Sequence, residues 1–131
     1  MLFKGLNDAQ INESKHATKK CEQENPDVDT KEINELLHKS GDISKEKSDD
    51  AFKRYMICIH KEMKWLKPDG TYHTDLLKKW IKMGGQSDVE ADGVIKECIV
   101  YKESEIETVW GVSSCLYKHN AWIVLEYKVC I

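Results

Sequence analysis

Cysteines are the residues whose spacing says most about the chemistry of this 131-residue chain, which contains five of them. Cys21, Cys58, Cys98 and Cys115 are separated by 36, 39 and 16 intervening residues. No CxxC pair and no cluster of histidine and cysteine at zinc-finger spacing accompanies them, so we predict no metal site. An even set of widely spaced cysteines in a short chain favours two structural disulfides and an oxidising compartment. Cys130 is left over near the C-terminus.

Catalytic motifs do not stand out anywhere in the sequence. An enzyme would need a nucleophile with a base, paired carboxylates in a cleft, or a metal centre. The chain contains no GxSxG, HExxH, P-loop or dinucleotide-binding fingerprint. We therefore predict that the protein is not an enzyme, and that it has neither catalytic residues nor cofactors.

The composition is that of one ordinary globular domain, which we expect to span residues 1–131. Hydrophobic residues make up 40% and charged residues 33%, a balance that argues against disorder. Residues 51–82 carry eight basic and three acidic side chains, too weak a positive patch for nucleic acid. No segment has the apolar length of a membrane span or a signal peptide, so a secreted form would be the mature chain without stable membrane insertion.

Helical periodicity dominates the sequence. Capping boxes open two of the expected helices, at Asp29–Glu32 and Ser87–Glu90. The expected helices cover about residues 7–21, 29–41, 48–63, 76–81, 87–99 and 104–118. The four cysteines on these helices allow three pairings. The pairing of Cys21 with Cys58 and of Cys98 with Cys115 would link two neighbouring pairs of helices.

The cysteine pattern resembles that of the insect odorant-binding proteins of the pheromone-binding and general odorant-binding family. That family has six cysteines, and the four spaced cysteines here match its first, third, fourth and sixth. Its second and fifth cysteines, which are disulfide partners, would fall at Arg54 and Ile106. The joint loss of both is typical of the "minus-C" subgroup. The runs Tyr55–His60 and Ser114–Tyr117 also look like the family's third and sixth helices near their cysteines.

The resemblance implies a fold and a function. The expected fold is all-α, with about six helices around an apolar cavity and disulfides Cys21–Cys58 and Cys98–Cys115. The expected function is that of a secreted extracellular carrier, whose partner is a small hydrophobic ligand such as an odorant or pheromone. Loss of the bridge between positions 54 and 106 predicts a softer cavity that accepts a broader set of ligands.

Apolar stripes on the expected helices supply the candidate ligand-binding residues. Tyr55 and Ser113 are the polar candidates for orienting a ligand hydroxyl or carbonyl. The full set is Phe52, Tyr55, Met56, Ile59, Leu76, Leu77, Trp80, Val94, Ile95, Val109, Trp110, Val112, Ser113, Leu116, Trp122 and Val124. Core packing without ligand contact is the alternative for each of these residues.

The apolar tail at residues 121–131 leaves further alternatives open. It can act as a lid on the cavity, as part of the core, or as an interface. One alternative is that the protein forms a homodimer through this tail or through Cys130. A second is that it is a protein-interaction module that uses the tail. A scavenger of amines or lipid mediators on the same fold is the third, and it would need a charged group such as Glu97 or Arg54 facing the cavity.

Overall fold

The computed structural model describes residues 8–28, 50–83 and 85–119. These ranges contain α-helices and no strand, so the predicted all-α class is confirmed. The helix expected over 29–41 and the tail at 121–131 lie outside them. The five described helices are α1 (Asp8–Glu24), α2 (Asp50–Glu62), α3 (Thr74–Met83), α4 (Asp88–Cys98) and α5 (Glu105–Lys118).

Helix α1 is polar, and its buried residues lie on one narrow face. Ser14, Ala17, Thr18 and Cys21 recur at steps of three or four residues and are all buried. The Thr18 hydroxyl donates to the carbonyl of Ser14 at 2.8 Å, so this buried polar group is paired within the helix. The face brings Cys21 against α2, where it forms the predicted bridge to Cys58.

The C-terminal end of α2 is closed by a Schellman motif. Lys64 adopts a φ of 66°, and its N–H donates to the carbonyl of Lys61. The N–H of Trp65 reaches back to the carbonyl of His60, and the two rings of Trp65 and His60 meet edge to face at 5.4 Å. This pairing of residues on either side of the left-handed position accompanies such caps and directs Trp65 into the core.

A tight turn between α2 and α3 brings Tyr72 back beside α2. Gly70 has a φ of 89°, which a glycine adopts without strain. The carboxylate of Asp69 accepts hydrogen bonds from the backbone N–H and the hydroxyl of Thr71, and these lower the pKa of Asp69. An isolated bridge between Leu66 and Tyr72 completes the turn, which the proline at position 68 and the glycine at position 70 favour.

Helices α4 and α5 begin with side-chain caps. Ser87 and Glu90 form the predicted capping box, in which each side chain accepts from the other residue's N–H. The Ser104 hydroxyl accepts from the N–H of Glu107 at the start of α5. The second predicted bridge, between Cys98 and Cys115, joins the two helices.

One cluster of buried side chains, drawn from all five helices and the turn, forms the core of the described residues. None of the helices in those ranges is both long and apolar enough to cross a bilayer. The members of the core cluster are buried between the helices and the turn.

Candidate functional site

The predicted ligand-binding residues converge in the core wherever the structure describes them. Eleven of them are buried, and Leu76 and Ile95 are partly buried against the same cluster. The eleven are Tyr55, Met56, Ile59, Leu77, Trp80, Val94, Val109, Trp110, Val112, Ser113 and Leu116. The structure does not describe the side chain of Phe52 or the residues Trp122 and Val124. Ligand contact by any member of the set stays a prediction.

A fully buried histidine, His60 on α2, connects three parts of this interior. Its Nδ1 atom lies 2.7 Å from the hydroxyl of Tyr72, which the turn after α2 positions. Its Nε2 atom lies 3.2 Å from the hydroxyl of Ser113 on α5. The N–H of Tyr72 in turn donates to the hydroxyl of Tyr101 at 3.0 Å. The chain of polar contacts thus runs from the surface loop before α5 to the centre of the core.

The imidazole of His60 is neutral at physiological pH. Burial lowers its pKa from 6.5 to about 3, because the charged form would lose its hydration. A neutral ring carries one N–H, so one hydroxyl donates to His60 and the other accepts from it. Both neighbouring hydroxyls, on Tyr72 and Ser113, are satisfied by this one ring.

Aromatic rings surround the histidine. Tyr72 and Trp65 each meet the imidazole edge to face, with ring centroids 5.7 and 5.4 Å away. Trp65 also meets Trp80 of α3 edge to face at 6.1 Å. Edge-to-face contacts are the favourable arrangement for such rings. The site is therefore an aromatic region of the core with one polar line running through it.

Two hydrogen-bond donors in this region have no partner among the described residues. They are the hydroxyl of Tyr55 and the indole N–H of Trp65, and both residues are at most 2% exposed. Burial also raises the pKa of Tyr55, so its hydroxyl keeps its proton. A buried donor without an acceptor costs about 1–3 kcal/mol. A ligand with an acceptor atom would gain the most binding free energy by accepting a hydrogen bond from one of these donors.

Ion pairs flank the buried histidine on the outer side of the contact between α2 and α5. Lys53 pairs with Glu107 at 3.1 Å, and Lys61 pairs with Glu105 at 3.0 Å. The ammonium of Lys53 also lies 5.8 Å from the ring centroid of Trp110. Lys53 therefore contacts two residues of α5, one by charge and one by its position over an aromatic face.

Sequence reasoning missed His60, Tyr72 and Trp65. A signal for His60 was present, because it follows Met56 by four residues and so continues the apolar stripe of α2. The position of Tyr72 depends on how the turn after α2 folds. The sequence indicates a turn there, but it does not indicate which side chain of the turn points inward. Arg54 and Glu97, the charged groups considered for the cavity, are exposed instead.

Comparison with known proteins agrees with this architecture. The model of the PBP/GOBP family matches residues 4–119, which include all four bridged cysteines and every described helix. Neither the curated proteins nor the solved structures contain a match to this chain. The family match spans nearly the whole sequence, and the chain therefore belongs to the PBP/GOBP family.

Proposed function

We propose that this protein is a secreted carrier that holds a small hydrophobic molecule, such as an odorant, pheromone or other semiochemical, between its helices. Proteins of this family bind ligands and are not enzymes. The observation that carries the proposal is the hydroxyl of Tyr55. It is fully buried within the apolar cluster and has no hydrogen-bond partner among the residues described.

The Tyr55 hydroxyl favours a particular ligand class. A ligand oxygen that accepts from this hydroxyl would remove the cost of an unpaired buried donor, about 1–3 kcal/mol. The remainder of the ligand would meet aliphatic and aromatic side chains, as small-molecule sites commonly provide. The favoured ligand is therefore a neutral, mainly hydrocarbon molecule with one acceptor, such as a ketone, ester, ether or alcohol.

The charges of the described interior support a neutral ligand over an amine or an acid. Its buried polar side chains are serine, threonine and the neutral His60, with no carboxylate or ammonium among them. Glu97 and Arg54, which the scavenger alternative would need inside, are on the surface. An unpaired ligand charge in such an interior would be costly to desolvate.

Three finer statements belong to the same proposal. The two closed disulfides support secretion, since such bridges persist in oxidising compartments. Arg54 and Ile106, where the family's remaining bridge would stand, support assignment to the minus-C subgroup. We further propose that residues 1–131 form one domain. The roles suggested for the tail and Cys130, as lid or dimer contact, concern residues outside the description.

Displacement of a fluorescent apolar probe from the oxidised protein tests the proposal. The competitors are matched pairs that share one carbon skeleton, a ketone and the corresponding alkane. Wild-type protein should prefer the ketone by about tenfold, the equivalent of one hydrogen bond. Tyr55→Phe should bind both equally. Tyr101→Phe, which removes the hydroxyl that accepts from the N–H of Tyr72 on the exposed side of the same polar line, should retain the preference.

The outcomes separate the carrier function from the role of Tyr55. A folded, oxidised chain that takes up no probe contradicts the carrier function. If the wild type takes up the probe but the ketone and the alkane displace it equally, the carrier function stands and Tyr55 is not part of the ligand site.

A further inference from the structure

Four potential metal ligands meet where the C-terminal ends of α4 and α5 lie side by side. One ligand atom each from Glu97, Cys98, Cys115 and His119 falls within 4.8 Å of all the others. The Nε2 atom of His119 pairs with the carboxylate of Glu97, and the sulfur of Cys115 lies 3.6 Å from the same carboxylate. The two sulfurs are bonded to each other in this structure, so neither is a thiolate.

We propose that reduction of the Cys98–Cys115 bridge opens a binding site for a zinc-like divalent cation. Two thiolates, the imidazole of His119 and the carboxylate of Glu97 would supply the four ligands that zinc takes in tetrahedral sites. Zinc–ligand bonds of about 2.0–2.3 Å place neighbouring ligand atoms about 3.3–3.8 Å apart. The four atoms lie within 4.8 Å of one another. Once the sulfur–sulfur bond is broken, the two sulfurs must move apart and the side chains rotate to complete the shell.

The redox step balances with a dithiol reductant as the co-reactant. A thiolate of the reductant attacks one sulfur, the mixed disulfide is resolved by its second thiol, and two electrons pass to the protein. The protein gains two thiols, and the reductant leaves as a disulfide. The cation then displaces the two thiol protons, which are released to solvent when the thiolates bind it.

The backbone around the cluster is held by contacts that reduction does not break. The N–H of His119, which directly follows α5, donates to the carbonyl of Cys115 at 3.2 Å, so His119 stands one turn beyond Cys115. The side chain of Gln86 donates to the carbonyl of His119 at 2.8 Å. These contacts hold the backbone that carries the imidazole of His119 in place beside Cys115.

A route for the cation is present on the surface. Glu97 and Cys115 line an open groove of about 340 Å³ together with Lys102, Trp110, Gly111, Ser114 and Lys118. Cys98 is buried beneath this surface, whereas Glu97 is exposed. A hydrated cation would therefore reach Glu97 and Cys115 first and Cys98 last.

The other bridge provides an internal comparison. A carboxylate oxygen of Glu24 lies 3.4 Å from the sulfur of Cys58, which resembles the placement of Glu97 beside Cys115. Within the described ranges, however, the Cys21–Cys58 bridge has no comparable group of ligand atoms. Reduction there should yield two thiols without the imidazole that completes the proposed site.

Two single-bridge variants test the proposal, both with Cys130→Ser to remove the additional thiol. One carries Cys21→Ala and Cys58→Ala and keeps the proposed site, and the other carries Cys98→Ala and Cys115→Ala. Each is reduced, freed of reductant without oxygen, and titrated with Co²⁺ and then Cd²⁺. The first should bind one equivalent, with thiolate charge-transfer bands and the visible spectrum of tetrahedral Co²⁺. The same variant left oxidised should show neither.

Substitution of the two ligands other than the cysteines sharpens the test. His119→Ala and Glu97→Gln in the first variant should each weaken Cd²⁺ binding by at least about 10-fold, since the loss of an outer-shell partner alone costs about 10- to 100-fold. Equal bands in both single-bridge variants, or unchanged affinity in both ligand variants, would overturn the proposal. If the reduced first variant loses helix content, the cation should restore its far-ultraviolet circular dichroism, and failure to do so would also overturn it.

Discussion

Helix α2 is joined to its neighbours in two different ways. A disulfide fixes α2 to α1, and another fixes α4 to α5. The contact between α2 and α5 has no covalent link in the described residues, and it depends on the buried pair of His60 and Ser113. A disulfide limits the separation of two helices whatever the pH. A protonated imidazole could still donate to both hydroxyls, but its charge would be buried without hydration, so this interface is the one that acid can loosen.

The contact between α2 and α5 joins the two helices that the family's remaining bridge would link. Arg54 and Ile106, where the resemblance places the absent bridge, lie on these same two helices. Each is next in sequence to a member of the ion pair between Lys53 and Glu107. The ion pair of Lys53 and Glu107, with its aromatic neighbour, therefore stands beside the positions at which the resemblance implies a bridge that this chain lacks. Screening by salt weakens such a pair and leaves a disulfide unaffected.

Removal of the covalent link between α1 and α2 should have the largest effect on stability. The Cys21→Ala/Cys58→Ala variant frees a loop with a sequence separation of 37 residues, and chain entropy predicts a loss of about 4 kcal/mol. Urea denaturation followed by tryptophan fluorescence measures it. The Cys98→Ala/Cys115→Ala variant, with a separation of 17, should lose about 3 kcal/mol. A larger loss for the shorter loop would contradict the entropic account.

Truncation of the buried histidine should cost nearly as much as a disulfide. His60→Ala leaves a cavity and deprives the hydroxyls of Tyr72 and Ser113 of their shared partner, so we expect a loss of about 3 kcal/mol. Ser113→Ala removes one partner and a small volume, and should cost about 1 kcal/mol. The same urea denaturation applies to both. Equal losses in the two variants would show that the link to Tyr72 contributes nothing.

Introduction of the absent bridge should give the contact between α2 and α5 a covalent link, like the links between α1 and α2 and between α4 and α5. Arg54→Cys/Ile106→Cys, once oxidised, should raise the free energy of unfolding by about 2 kcal/mol, below the ideal value because engineered bridges distort local geometry. Amide hydrogen exchange of α2 and α5 should slow, and the range of ligands that displace an apolar probe should narrow. The reduced double variant is the control. Unchanged exchange in both helices would contradict the prediction of a softer interior.

The sequence predicted those parts of the molecule that local patterns determine. Capping chemistry placed the start of α4 at Ser87, and helical periodicity placed Tyr55 and Ile59 on the buried face of α2. The environment of His60 could not be predicted, because its two partners come from a turn and from a distant helix. The cluster at Glu97 and His119 also depends on tertiary structure, since it forms only when α4 and α5 lie side by side.

Acid should loosen the histidine-dependent interface and spare the covalent ones. Unfolded His60 titrates near 6.5 and the folded residue near 3, so between these values only the unfolded state binds the proton. The free energy of unfolding should therefore fall by about 1.4 kcal/mol for each pH unit below 6.5, and this contribution is fully present above 6.5. Urea denaturation from pH 7 to pH 4 measures the slope.

Two variants isolate the contribution of the imidazole to that slope. His60→Gln should lower stability near pH 7 and remove this part of the pH dependence, so its stability deficit relative to the wild type should shrink as the pH falls. Ser113→Ala, which loses a hydrogen bond but keeps the buried ring, should retain the wild-type slope. A slope unchanged in His60→Gln would assign the acid sensitivity to carboxylates elsewhere in the chain.

The ion pairs across α2 and α5 should contribute least, and unequally. Lys61 is 45% exposed at its side chain, so Lys61→Met should cost about 0.3 kcal/mol. Lys53 is only 12% exposed and also lies over Trp110, so Lys53→Met should cost about 1 kcal/mol.

A double-mutant cycle with Glu107→Gln, at low and high salt, separates the two contacts of Lys53. Salt should weaken the coupling to Glu107 more than the remaining contact with the ring, because charges exposed to solvent are the more strongly screened. Equal costs for the two lysines at every salt concentration would mean that the position over Trp110 adds nothing to this interface.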